Sequence, residues 1–105
     1  MEKVGVVSEF VEGVLYPRKL GGTRAVFVTR TNGRFYALSN ICTHHGFTIT
    51  PGTTDGATVL CPVHDALFDL GTGACISGPA GDPLPVYAVT VEGDDVMVGE
   101  AFVSE

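Results

Sequence analysis

Apolar positions along the chain fall in short bursts separated by turn residues, and no window carries a helical period of 3.6. Residues 23–30, TRAVFVTR, form a compact β-rich run, and the TNGR that follows contains Asn32-Gly33, the strongest short-range hairpin signal. RFYALSN then returns as the second strand. Near the C-terminus PVYAVTVEGDDVMVGE repeats the form: Tyr87, Val89 and Val91 alternate with their neighbours, EGDD turns, and Val96 and Val98 alternate again. Weaker strands are predicted at residues 3–7 and 14–18. Between the two hairpins lies an insert of about residues 40–83, rich in Gly, Thr and Pro, with short strands expected at 57–61 and 66–70. The pattern predicts an all-β protein without repeats or linkers, in which a scaffold of hairpins carries a loop-built site.

Composition narrows the class. A chain of 105 residues, 45% apolar, supports one packed domain and is too short for two. The 14 glycines and 6 prolines favour short strands and turns. The first ten residues, MEKVGVVSEF, lack the apolar core of a secretory signal, and no stretch approaches the roughly 18 apolar residues of a membrane span. A cytoplasmic protein without a membrane partner is therefore expected. Three cysteines, an odd number in a chain with no export signal, suit ligands or core thiols better than a disulfide scaffold.

Charge is placed unevenly. All six basic residues lie in residues 1–34, a segment of net +3, whereas residues 35–105 hold nine acids and no base, for −9. A net charge of −6 repels phosphates and argues against nucleic acid as a partner. It suits steering toward a basic partner, and equally it suits solubility alone.

The candidate chemistry lies in the insert. CTHH at 42–45 and CPVH at 61–64 hold two of the three cysteines and all three histidines. Cys42 and His44, two apart, project to one side of an extended backbone. Cys61 and His64, three apart, flank Pro62 in a predicted β-turn. Each segment offers one sulfur and one imidazole, and two such segments can close on an S₂N₂ centre. A tetrahedral zinc and a [2Fe–2S] cluster both accept that donor set, and ligand type alone leaves both open.

These residues resemble a known family. C-T-H at 42–44, 16 residues, then C-P-V-H at 61–64 is similar to the Rieske iron–sulfur signature C-x-H…C-x-x-H. His44-His45-Gly46 is similar to the family's H-x-G, Phe68-Asp69 with Thr72-Gly73 to the F-D…T-G run after the second histidine, and Gly78-Pro79-Ala80 to the proline loop over the cluster. Pro83-Leu84, Tyr87, Val89, Val91 and Gly93-Asp94 are like the closing hairpin. The likeness is clearest from Asn32-Gly33 onward.

The resemblance implies a Rieske-type fold of stacked antiparallel sheets: a single domain over 1–105, with a cluster-binding subdomain at about 40–83 inserted in a β basal domain. It implies one [2Fe–2S] cluster, with Cys42 and Cys61 on the inner iron and His44 and His64 on the outer. Gly46 and Pro79 would stand beside it. Neutral imidazoles in place of two thiolates remove negative charge and raise the potential.

Departures from the pattern identify the kind of Rieske protein. Where respiratory members carry a disulfide pair, this chain has Phe47 and Val63; where they carry serine and tyrosine donors to sulfur, it has Ala66 and Phe68. With those hydrogen bonds missing and Asp65 beside His64, the expected potential is in the low part of the Rieske range of about −150 to +300 mV. Asp65-Ala66 also replaces a usual glycine, and Thr43 a common proline. The chain resembles the stand-alone ferredoxins of bacterial ring-hydroxylating dioxygenase systems. That implies a monomeric electron carrier, not an enzyme, between a flavin-dependent ferredoxin reductase and a terminal oxygenase; the alternative is a Rieske-like small subunit of a larger reductase such as nitrite reductase. His45 reads as a loop-surface residue, and Cys75 as a buried thiol outside the site.

Overall fold

Alternating side chains and frequent turns fold the chain into two antiparallel sheets, seen in a computed structural model that describes residues 2–21, 24–41, 48–50, 53–61, 67–77 and 83–102. The larger sheet contains β1 (Glu2–Val6), β2 (Leu15–Leu20), β3 (Arg24–Thr31), β4 (Arg34–Ser39), β9 (Val86–Glu92) and β10 (Asp95–Phe102), in the order β1-β10-β9-β4-β3-β2. The smaller contains β5 (Thr53–Thr54), β6 (Thr58–Leu60), β7 (Leu67–Asp69) and β8 (Cys75–Ser77), in chain order. All of its strands fall between β4 and β9. Helical structure among the described residues is limited to one 3-10 turn, Val7–Glu9.

The β3–β4 hairpin turns as its sequence demands. Asn32 and Gly33 both take positive φ, 53° and 76°, the pair that a two-residue turn matched to strand twist requires. Glu12 holds that turn from outside: its carboxylate accepts the Asn32 N–H at 2.8 Å and the Gly33 N–H at 3.0 Å.

Strand alternation sorts the core into two apolar groups. On β3, Val26 and Val28 face one side and Phe27 the other, all fully buried; on β4, Ala37 and Leu38 divide likewise, as do Tyr87 and Val86 on β9. Phe27, Leu38 and Val86 join Leu15, Ile49, Val59, Cys61, Phe68, Leu70 and Leu84 in the core shared between the sheets. Val26, Val28, Ala37 and Tyr87 instead close around Phe10, whose ring meets Tyr16 and Phe35 edge-on at 5.1 and 5.7 Å. Burying each such side chain contributes about 1.5–3 kcal/mol relative to leaving it exposed.

The larger sheet curls until its edge strands meet. Arg18 on β2 donates from Nε to the Val4 carbonyl on β1 at 2.9 Å while its guanidinium lies over Phe10. The Gly21 N–H donates to the Glu2 carboxylate. A side-chain seam therefore closes the barrel where a backbone ladder is missing.

Several sequence expectations shift. The first strand ends at Val6, because Val7 opens the 3-10 turn, and the second runs over Leu15–Leu20 rather than 14–18. In the insert, strands span Thr58–Leu60 and Leu67–Asp69, shorter than expected, and β5 and β8 were not expected at all. Cys75 is half-buried against the shared core rather than fully buried, with Sγ 3.7 Å from the Ser77 carbonyl oxygen.

Candidate metal centre

Three pieces of the insert leave the described structure from the same end of the molecule. Residues 42–47 are bracketed by Ile41 and Thr48, which pair antiparallel. Residues 62–66 are bracketed by Cys61 and Leu67, directly above the Leu60–Leu67 pair of β6 and β7. Residues 78–82 follow Ser77, which pairs with Leu67, and precede Pro83. The Pro85 carbonyl next accepts the Ser39 N–H at 2.9 Å, so this chain too enters the larger sheet at the loop end.

Asn40 fastens the first bracket. It is 4% exposed, and its side chain spans the base of the segment: Oδ1 accepts the Thr50 N–H and Nδ2 donates to Thr50 Oγ1, both at 3.0 Å. Its backbone N–H donates to the Ala25 carbonyl and its carbonyl accepts the Ile49 N–H. Sequence reasoning left Asn40 as the last residue of a strand. An amide two residues before the candidate ligand Cys42 is the signal the sequence offers.

The Phe68-Asp69…Thr72-Gly73 run builds a floor. Phe68 is fully buried in the shared core. Asp69 accepts the Thr72 N–H at 2.7 Å and its hydroxyl at 2.9 Å, tightening the β7–β8 turn. Gly73 has a φ of 79°, and a Cβ there would collide with the Leu84 carbonyl oxygen. The close approach lets Gly73 and Leu84 hydrogen-bond and sets Leu84 in the core below β9.

Of the candidate site residues, Cys61 lies within the described structure. It caps β6, fully buried among the shared core. Cys42, His44, Gly46, His64 and Pro79 lie outside the described residues, as do His45, Phe47, Val63, Asp65 and Ala66. Accordingly, no group of three or more His, Cys, Asp or Glu placed to hold a metal occurs among the described residues. The donor chemistry still suits a soft metal centre. Cys61 lies fully buried at the end of β6, next to the segment that carries His64, and the segment 42–47 carries Cys42 and His44.

Two carboxylates at the opposite end are held ionised. The backbone N–H of Gly33, then that of Asn32, lowers the Glu12 pKa; the N–H of Ala57, then that of Thr58, lowers that of Asp55. The Thr31 hydroxyl donates to the Gly56 carbonyl at 3.0 Å and ties the two sheets together there.

The profile of the Rieske [2Fe-2S] domain family matches residues 1–88. The chain belongs to the Rieske [2Fe–2S] domain family. The Rieske chain carries one [2Fe–2S] cluster. It is 45% identical over 67 residues to the 3-phenylpropionate/cinnamic acid dioxygenase ferredoxin subunit of Escherichia coli (strain K12), and the alignment covers 63% of each chain. It thus spans under two thirds of that relative's length. Among solved structures, it superposes with a TM-score of 0.89 on the ferredoxin of carbazole 1,9a-dioxygenase from Nocardioides aromaticivorans IC177, at 29% identity over 93% of this chain and 95% of that one. A chain of a complex of reduced oxygenase and oxidized ferredoxin in carbazole 1,9a-dioxygenase matches at 33% identity and a TM-score of 0.90, covering 97% of this chain and 95% of that one. The all-β, stacked-sheet expectation agrees with this Rieske fold. No helix among the described residues is long and apolar enough to cross a membrane.

Proposed function

We propose that this Rieske chain is a one-electron carrier that takes electrons from a flavin-dependent reductase and delivers them to a terminal ring-hydroxylating oxygenase, doing no bond chemistry itself. One observation carries the reading: the chain matches, over nearly its full length, the ferredoxin of carbazole 1,9a-dioxygenase from Nocardioides aromaticivorans IC177. Cys42, His44, Cys61 and His64 would hold the cluster, with Gly46 and Pro79 beside it. Two thiolates and two imidazoles form a donor set suited to a two-iron centre. When bound, the cluster supplies reversible uptake of a single electron.

The protein's own part is positioning and exclusion. Cys61 fixes one sulfur in the core, Asn40 clamps the segment that carries Cys42 and His44, and Phe68 keeps water from beneath. Phe68 also stands where a hydroxyl donor to sulfur would raise the potential, and a ring carbon cannot donate. A potential in the low part of the span from about −150 to +300 mV follows. We read the chain as one domain over 1–105, with residues 40–83 as a cluster-binding insertion, and as a cytoplasmic monomer.

The test is paramagnetic resonance of the purified protein before and after one-electron reduction, alongside His64→Ala. The parent gains a signal on reduction and the variant loses it. A parent with neither iron nor acid-labile sulfide overturns the reading, and an unchanged spectrum in His64→Ala removes that residue from the ligand set.

A further inference from the structure

The described acids gather at one end of the fold, where they outnumber the bases Lys3, Arg30 and Arg34. Glu9, Glu12, Asp55, Asp69 and the Glu92–Asp95 turn lie at the end away from the bracketed segments, beside the Asn32-Gly33 and Gly56 turns or at strand ends that point the same way. At the loop end, Lys19 and Arg24 are exposed on the β2–β3 hairpin, and neither has an ion-pair partner among the described residues. Glu2 is the described carboxylate nearest this hairpin, and it is engaged by the Gly21 N–H.

A groove of about 530 Å³ opens beside this pair, lined by Pro17, Arg18, Lys19 and Ala25 from the hairpin and by Asn40, Thr48 and Thr50 from the base of the 42–47 segment. Prolyl, alanyl and threonyl residues make much of its lining; of its two bases, Arg18 has its guanidinium engaged by the Val4 carbonyl, Glu9 and the Phe10 ring, and Lys19 is exposed. The sequence alone suggests an acidic protein steered toward a basic partner. The end from which an electron would leave shows the opposite sign on this flank.

We propose that this groove receives a carboxylate-bearing segment of the electron-transfer partner, with Lys19 pairing the carboxylate and an apolar side chain seating against Pro17 and Ala25. This rests on the carrier reading above. Charge complementarity selects an acidic occupant over a basic one, and the groove's place at the loop base gives such docking a route to electron transfer. Pro17 and Lys19 also guard the edge of β2, which side chains rather than a backbone ladder join to β1, against pairing with another chain. That role needs a charge of either sign, so Lys19→Glu preserves it while reversing the docking charge.

Two measurements decide it. First, the reduced holoprotein is mixed with tris(oxalato)cobaltate(III), a trianion, or hexaamminecobalt(III), a trication; one electron leaves the cluster and Co(III) becomes Co(II). Changing Lys19 to Glu alters the local charge by two units. At about 10 Å from a trivalent probe and about 10 mM ionic strength, this slows the trianion roughly tenfold and speeds the trication comparably. Lys3→Glu has the same net charge change, but Lys3 is paired with Asp95 at 3.2 Å and points to the other end, so it moves both rates much less. Second, a short peptide alternating glutamate and leucine shifts the amide signals of Lys19, Ala25 and Thr48 in the parent and not in Lys19→Glu.

Equal effects of the two lysine variants, or groove binding by a lysine–leucine peptide instead, overturn the proposal. A protein without a reducible cluster removes the carrier reading and leaves the peptide result to judge the groove; a reducible cluster indifferent to Lys19 removes the groove alone.

Discussion

Replacing Asn40 by Ala removes the clamp at the base of residues 42–47 and tests whether that clamp holds the segment. The substitution deletes the acceptor of the Thr50 N–H and the donor to Thr50 Oγ1, each a 3.0 Å bond made by a side chain 4% exposed. An ordinary hydrogen bond contributes about 0.5–1.5 kcal/mol, and a buried donor left without a partner costs about 1–3 kcal/mol. Thr50 is half-buried, so water recovers part of the second figure, and the expected loss is about 2–3 kcal/mol. Urea unfolding followed by far-ultraviolet dichroism gives the stability. With a slope of about 1–3 kcal/mol per molar, the midpoint falls by about 1 M. Cluster absorbance gives a second readout: colour is lost at lower urea than in the parent, and ahead of the dichroism change, because the bracket opens before the barrel. A midpoint within about 0.3 M of the parent, with colour and dichroism lost together in both proteins, would show that the Asn40 bridge is ornamental.

Other substitutions probe neighbouring parts of the framework. Gly73→Ala forces a side chain into the Leu84 carbonyl at a positive φ, and thermal unfolding should report a loss above about 2 kcal/mol; a loss below about 0.5 kcal/mol would mean that the turn relaxes freely. Glu12 is ionised more readily when folded, so its stabilising bonds are complete above its ordinary value of 4.5 and are lost as pH falls below it through the lowered folded value. In Glu12→Gln, the fall in urea midpoint on acidification through that window should therefore be shallower than in the parent; parallel curves would remove Glu12 from the linkage.

The scaffold is legible in the sequence where local chemistry acts alone. Asn32-Gly33 dictates its turn, and the apolar run over Val26, Phe27 and Val28 dictates a strand buried on both faces. What is less legible depends on partners distant in sequence. β5 and β8 are two and three residues long, and each exists because β6 and β7 offer an edge to pair with. The closing of the barrel by Arg18 needs Val4, fourteen residues away, and no period or propensity announces it. At the site, residue types and spacing point to the donor set, and the fold adds what they cannot: a common exit end for the segments, the Asn40 bridge and the burial of Cys61. Cys75 misled because an apolar-type residue on a short edge strand has cover on one side only.

The burial of Cys61 has a practical consequence for dissecting this centre. The residue is fully buried in the core it shares with Phe27, Val59 and Phe68, so an exchange for serine changes a buried group there, and an exchange for alanine leaves a hole. Either change would injure the joint between the sheets whether or not iron were lost. A null phenotype at this position is thus ambiguous by construction, and histidine replacements are the cleaner instrument for asking what the metal alone contributes.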